Sequence, residues 1–131
     1  VGTGGTLMGI AKAMKEANKS VEIIAVEPAS SAVISGQSPG PHKLQGIGAG
    51  FIPSILDTAY IDRLELIETK EAFEASRKIA KGEGILLGIS GGAALEAALR
   101  TAKRLGSEKK VLFIAPDNGE RYLSTDLFAD E

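Results

Sequence analysis

Apolar positions fall into alternating helical and strand-like blocks along the chain. Leu7, Ile10, Ala11, Met14 and Ala17 recur at helical spacing and predict a helix over residues 6–18. Residues 21–27 then become apolar on both faces, which suits a strand inside a parallel sheet, and Pro28 is expected to stop it. A second strand is predicted over residues 63–67. Thr69 is the expected N-cap of a helix over residues 70–81, with Ala72, Phe73, Ser76, Ile79 and Ala80 inward and Gly82 as its stop. A short apolar stretch at residues 84–89 leads through Ser90-Gly91-Gly92 into a third helix over residues 93–105, closed by Gly106. Its expected inner face is Ala94, Leu95, Ala98, Leu99 and Ala102. Residues 110–115 read as a third strand, ended by Pro116. This alternation implies an α/β fold of three layers, a parallel sheet with helices on both faces.

Residues 29–60 follow neither period. A connection this long in a compact domain is functional or disordered, and this one is too apolar and too glycine-rich for a disordered tail. Within it Gly46, Gly48 and Gly50 alternate with Ile47 and Ala49, a pattern that suits backbone held close to something bulky.

The most informative stretch is Gly2-Thr3-Gly4-Gly5-Thr6, which opens directly into the first helix. Glycines let backbone approach a ligand, and a helix start aims unpaired N–H groups and the positive end of the helix dipole at one point. That point suits phosphate. The alternative reading is a plain turn whose glycines serve packing. The run is neither the dinucleotide G-x-G-x-x-G nor a P-loop. Such a loop normally hangs from a buried strand, and only Val1 precedes it, so the strand is expected on residues outside this chain.

Composition narrows the classes. The chain has 131 residues, enough for one small domain with a core. A net charge of −2 gives no support to a nucleic-acid partner. With no cysteine there is no disulfide, thiolate metal site or cysteine nucleophile, and a reducing cytoplasmic compartment fits. No apolar run is long enough for a bilayer, and no metal site is expected. His42, the single histidine, reads as a surface residue on its loop. Glu27 reads as a solvated strand end or a ligand contact. Ser90 reads by position as a helix N-cap. A nucleophilic role for it lacks a proper preceding strand and a downstream histidine. Asp117 is a turn-former or a strand-end contact. Lys12, Lys15, Lys78 and Lys103 lie on helices as solvated charges.

Four motifs in order carry a resemblance: Gly2-Thr3-Gly4-Gly5-Thr6, the run from Gly40-Pro41-His42-Lys43 through Gly46-Ile47-Gly48-Ala49-Gly50-Phe51-Ile52-Pro53, the run Gly84-Ile85-Leu86-Leu87-Gly88-Ile89-Ser90-Gly91-Gly92-Ala93, and Gly119-Glu120-Arg121-Tyr122-Leu123-Ser124-Thr125. Together they resemble the cysteine synthase (O-acetylserine sulfhydrylase) family, pyridoxal-phosphate enzymes of the tryptophan-synthase-β type (fold type II). The likeness covers residues 1–131 and implies the C-terminal part of the cofactor-binding large domain, without its N-terminal half.

The resemblance implies that Gly2, Thr3, Gly4, Gly5 and Thr6 cradle the phosphate of pyridoxal 5'-phosphate and that Ser90 hydrogen-bonds its pyridine nitrogen. A neutral hydroxyl there makes a weaker electron sink than an aspartate, which suits elimination of a good leaving group. Gly46, Ile47 and Gly48 are implied on the substrate side. The Schiff-base lysine is implied upstream of the chain, so no catalytic residue is assigned here and the chain alone is expected to be inactive. The implied reaction replaces the acetate of O-acetylserine with sulfide. The implied partners are the N-terminal part of the enzyme, a second copy in a homodimer, and serine acetyltransferase docking near His42 and Lys43. Ser90-Gly91-Gly92-Ala93 departs from the family's Ser-Ser-Gly-Ala. Pro116-Asp117 replaces Pro-Ser and resembles the thiosulfate-using type. Ser38 stands where a lysine is common, which weakens the acetyltransferase expectation. Sister enzymes such as cystathionine β-synthase or threonine dehydratase, and a non-catalytic phosphate-binding module, are the alternative readings.

Overall fold

The computed structural model describes residues 1–129. The chain forms two compact units: Val1–His42 with Gly46–Leu66, and Lys43–Gln45 with the chain from Ile67 onward.

In the first unit, helix α1 (Gly5–Ala17) begins one residue earlier than the apolar pattern predicts. It buries Met8 and Ala11, while Met14 stays 43% exposed. Strand β1 (Ile24–Pro28) pairs with β2 (Arg63–Ile67) in a parallel two-stranded sheet. Strand β1 starts later than residue 21 and includes Pro28 as its last member, a sheet position where a missing N–H is tolerated. The late start has a local cause. Ile23 N donates to the Asp62 carboxylate at 2.7 Å, and Asp62 N donates to Ile23 O at 2.8 Å. Lys15 Nζ reaches the same carboxylate oxygen at 2.6 Å, so Lys15 is an ion-pair partner and not the solvated charge its position suggests.

The long segment after β1 is pinned at several points. Glu27 is 1% exposed, so it is not a solvated strand end. Its carboxylate accepts from Ile34 N and Ser35 N, each at 2.9 Å, and from Ser35 Oγ at 2.7 Å. A buried carboxylate is stable only with such donors. Further along, Gly40 N donates to Ser31 Oγ at 3.2 Å and Ser30 Oγ donates to the Pro41 carbonyl at 2.7 Å.

The second unit is built on two helices. Helix α2 (Thr69–Glu83) is capped by Glu68 in a reciprocal capping box with Glu71, not by Thr69. The Thr69 hydroxyl instead accepts from Lys43 N at 3.3 Å. The helix runs past Gly82 and stops at Gly84, whose left-handed φ of 69° ends it. Helix α3 (Ile89–Leu105) starts four residues before the predicted position, with Gly88 as N-cap.

The inner face of α3 also differs from the predicted one. Of the five expected residues only Leu95 is buried, and Leu99 is 51% exposed. Ala93, Ala97 and Thr101 are buried instead. The reason is close packing on α2. A Cβ at Gly92 would collide with the Ala72 carbonyl and Ser76 Oγ, so the contact is backbone against backbone. Arg100 spans the pair, with Nε on Glu96 at 3.1 Å and Nη2 on Glu71 at 2.5 Å. Ala75, Leu87 and Leu95 form one buried cluster of this unit, with Ile79 and Phe113 packed against it.

The third strand predicted over residues 110–115 does not form. A strand needs a hydrogen-bonded neighbour. Among the described residues this segment has none, and Leu112 is 80% exposed. Among the described residues, pairing resumes at an antiparallel bridge, Leu87 to Asn118. Among the described residues no helix is long and apolar enough to cross a membrane.

Candidate cofactor site

Helix α1 starts from Gly4, which takes φ 90° and ψ −3°, a left-handed conformation that favours glycine. Gly4, the N-cap residue, has no side chain with which to cap the helix. The first intrahelical bond runs from Met8 N to Gly4 O at 2.9 Å, so the amides just before Met8 have no carbonyl behind them in the helix. Thr3, Gly5 and Thr6 are exposed at this end, while Gly4 is buried beneath them against Leu56.

Gly2 ties the loop to the 46–50 turn. A Cβ on Gly2 would lie 2.6 Å from the Gly46 carbonyl oxygen, and Gly48 N donates to Val1 O at 2.9 Å. Gly46, Gly48 and Gly50 all have positive φ, at 91°, 67° and 84°. The structure therefore brings together two of the three sequence-predicted clusters, the cradle at residues 2–6 and the turn holding Gly46, Ile47 and Gly48. Gly46 is exposed, and Ile47 and Gly48 are half-buried.

Two residues have a greater part here than the sequence reading gives them. The half-buried His42 is not a simple surface residue: its Nε2 lies 2.8 Å from the Gly48 carbonyl. Because a carbonyl only accepts, Nε2 carries the proton. The other is Pro28, whose ring fills the space a side chain at Gly48 would need. The signal in the sequence is the six-residue spacing from His42 to Gly48, which becomes legible only once the turn closes.

In the second unit, Ser90 lies inside the first turn of α3, two residues past the N-cap, and is 8% exposed. Its predicted capping role belongs to Gly88. Asp117 faces inward. Its Oδ2 accepts from the Tyr122 hydroxyl at 2.5 Å, and its Oδ1, buried beside Gly88, has no hydrogen-bond partner among the described residues. The bond to Asp117, with burial adding to it, raises the Tyr122 phenol above its ordinary pKa. A Cβ on Gly91 would make ordinary contacts, with Leu87 Cβ at 3.4 Å and Cδ2 at 3.7 Å and with Ala115 Cα at 3.9 Å, so space there does not require glycine.

The first unit fits a phosphate-bearing cofactor. It offers an uncapped helix end with exposed threonines, and backbone is packed where a side chain would intrude. A helix start with free amides in an α/β unit suits an anion, and residues 1–117 match the family model described as pyridoxal-phosphate dependent enzyme. The chain belongs to that family.

Within the family, the chain is 54% identical over 129 residues to cysteine synthase of Staphylococcus aureus, covering 98% of this chain and 42% of that protein. It also superimposes on the crystal structure of cysteine synthase from Entamoeba histolytica with a TM-score of 0.96 and 47% identity, over 100% of this chain and 40% of that one. An O-acetylserine-dependent cystathionine β-synthase from Helicobacter pylori gives a TM-score of 0.90 and 44% identity, over 98% and 42% of the two chains. The chain thus spans about 42% of the length of the curated relatives it matches.

Proposed function

We propose that this chain is the cofactor-binding C-terminal part of a cysteine synthase, a cytoplasmic homodimer that makes L-cysteine from O-acetyl-L-serine and sulfide. The observation that carries the proposal is the uncapped start of α1 at Gly4, joined to the glycine turn through the contact of Gly2 with Gly46. High identity to curated cysteine synthases across nearly the whole chain supports the choice of reaction.

In this reading Gly2, Thr3, Gly4, Gly5 and Thr6 hold the phosphate by amide N–H groups and hydroxyls, with the helix dipole favouring the anion. Ser90 gives the pyridine nitrogen a neutral hydroxyl partner. Gly46, Ile47 and Gly48 present backbone, without bulk, to the amino-acid substrate. Pyridoxal phosphate supplies the electron sink that lets acetate leave and sulfide add at the β-carbon. The lysine that holds the cofactor covalently comes from the N-terminal part of the enzyme. Lys43, exposed and paired with Asp126 at 2.9 Å, is the residue left to meet a serine acetyltransferase, because His42 is turned to Gly48.

The test is a nucleophile panel on the full-length protein with O-acetylserine as donor. Sulfide is expected to give cysteine at the highest kcat/KM. Preference for thiosulfate would reassign it to the thiosulfate-using type, and preference for homocysteine would make it a cystathionine β-synthase. No turnover of O-acetylserine with any nucleophile would contradict the proposal.

A further inference from the structure

The contacts between residues 42 and 48 carry an assignment beyond the reaction itself. Gly48 is gripped on both sides of its peptide. Its N–H donates to Val1 O at 2.9 Å, directly ahead of the phosphate cradle, and its carbonyl accepts from His42 Nε2, 2.8 Å away. A Cβ on Gly48 would lie 2.6 Å from His42 Nε2 and would run into Pro28 Cγ, so the imidazole and the proline ring leave the turn no room to shift toward them. Positive φ at Gly46, Gly48 and Gly50 would leave an untethered turn with several accessible conformations. His42 is itself held at the end of a braced segment, through Ser30 Oγ on the Pro41 carbonyl and Ser31 Oγ on Gly40 N.

We infer that His42 is the positioning residue that locks the Gly46–Ile47–Gly48 turn in register with the phosphate cradle, and so sets the affinity for the amino-acid substrate. The assignment rests on the substrate-side reading of that turn. The imidazole contributes an N–H donor of fixed reach and exchanges no proton with substrate. An imidazole donates from Nε2 in one neutral tautomer and in the charged form, so the lock requires only that Nε2 carry hydrogen. A Gln side chain places an N–H at a similar distance from the backbone, whereas Ala leaves the Gly48 carbonyl without that donor.

The experiment uses the full-length holoenzyme and its H42A and H42Q variants. For H42A, the KM for O-acetylserine should rise about 3- to 10-fold with kcat within about 2-fold and cofactor retained, the size expected for one lost hydrogen bond that acts on binding. H42Q should recover most of the loss. An equal fall in kcat and rise in KM, an unchanged KM in H42A, or an H42Q variant as impaired as H42A would overturn the assignment. The ¹⁵N spectrum of the His42 ring in the wild type reads the lock without any turnover. Nε2 is expected protonated and hydrogen-bonded, and a ring protonated only at Nδ1 would overturn the assignment even if H42A failed to fold. Wild-type protein that turns over no O-acetylserine but shows the Nε2 bond would sink the reaction and leave the tether standing, and with it this residue's hold on the turn.

Discussion

At the scale of single residues, the glycines of this chain separate into those that space requires and those it does not. Gly91 and Gly92 are adjacent in α3, yet a Cβ at Gly92 would strike Ala72 and Ser76, whereas one at Gly91 makes ordinary contact with Leu87. Gly92→Ala is therefore expected to destabilise the protein by about 1–3 kcal/mol through overpacking. Gly91→Ala should be neutral or stabilising by up to about 1 kcal/mol, from the helix propensity gained. Urea unfolding of the two variants checks both signs. From the sequence alone the two glycines were indistinguishable, because what separates them is the distance to another helix. His42 and Glu27 teach the same lesson. Their types suggested surface and strand-end roles, and only the path of the following loop turns them into tethers.

At the scale of elements, local signals located the three α-helices of the described residues but placed their ends imperfectly, and they located none of the short 3-10 turns. The cap of α2 fell to Glu68 because Glu68 and Glu71 satisfy each other's donors, a pairing stronger than a lone Thr69 hydroxyl. The buried face of α3 followed small residues and not the largest ones, since close approach to α2 decided it. The 110–115 segment has the apolar composition of a strand, but strand formation is a property of pairs, and composition cannot supply the neighbour.

Asp62 links three elements: it anchors the last turn of α1 through Lys15, and the starts of β1 and β2 through Ile23. The Ile23 amide, and then Lys15, hold its carboxyl below the ordinary 3.8. A depressed carboxyl stabilises the fold above its unfolded value and ceases to do so as pH falls through its folded value. Wild-type stability should therefore drop below about pH 4 with a contribution from Asp62, and Asp62→Asn should flatten that part of the curve. Chemical unfolding measured from pH 6 down to pH 2.5 checks it. Equal acid slopes in the two proteins would remove Asp62 from the account.

At the scale of the whole molecule, the α/β class and the glycine-led start of the first helix were legible because they are local. A glycine run feeding an amphipathic helix has few physical uses, and the structure builds the helix start it calls for. The union of the cradle with the 46–50 turn was not legible, because more than forty residues separate Gly2 from Gly46 and only backbone contact joins them. At this scale we expect the 131-residue chain by itself to turn over no O-acetylserine, since the proposed function assigns the cofactor-holding lysine to the N-terminal part of the enzyme. A cysteine-formation assay on the isolated chain checks this, and measurable turnover would refute it.

The most direct test of the cradle is a crystal structure of the full-length protein with pyridoxal phosphate bound. Phosphate oxygens are expected within hydrogen-bonding distance of the amides at the start of α1 and of a Thr3 or Thr6 hydroxyl. Phosphate bound at any other place, with the α1 end left to solvent, would contradict the cradle.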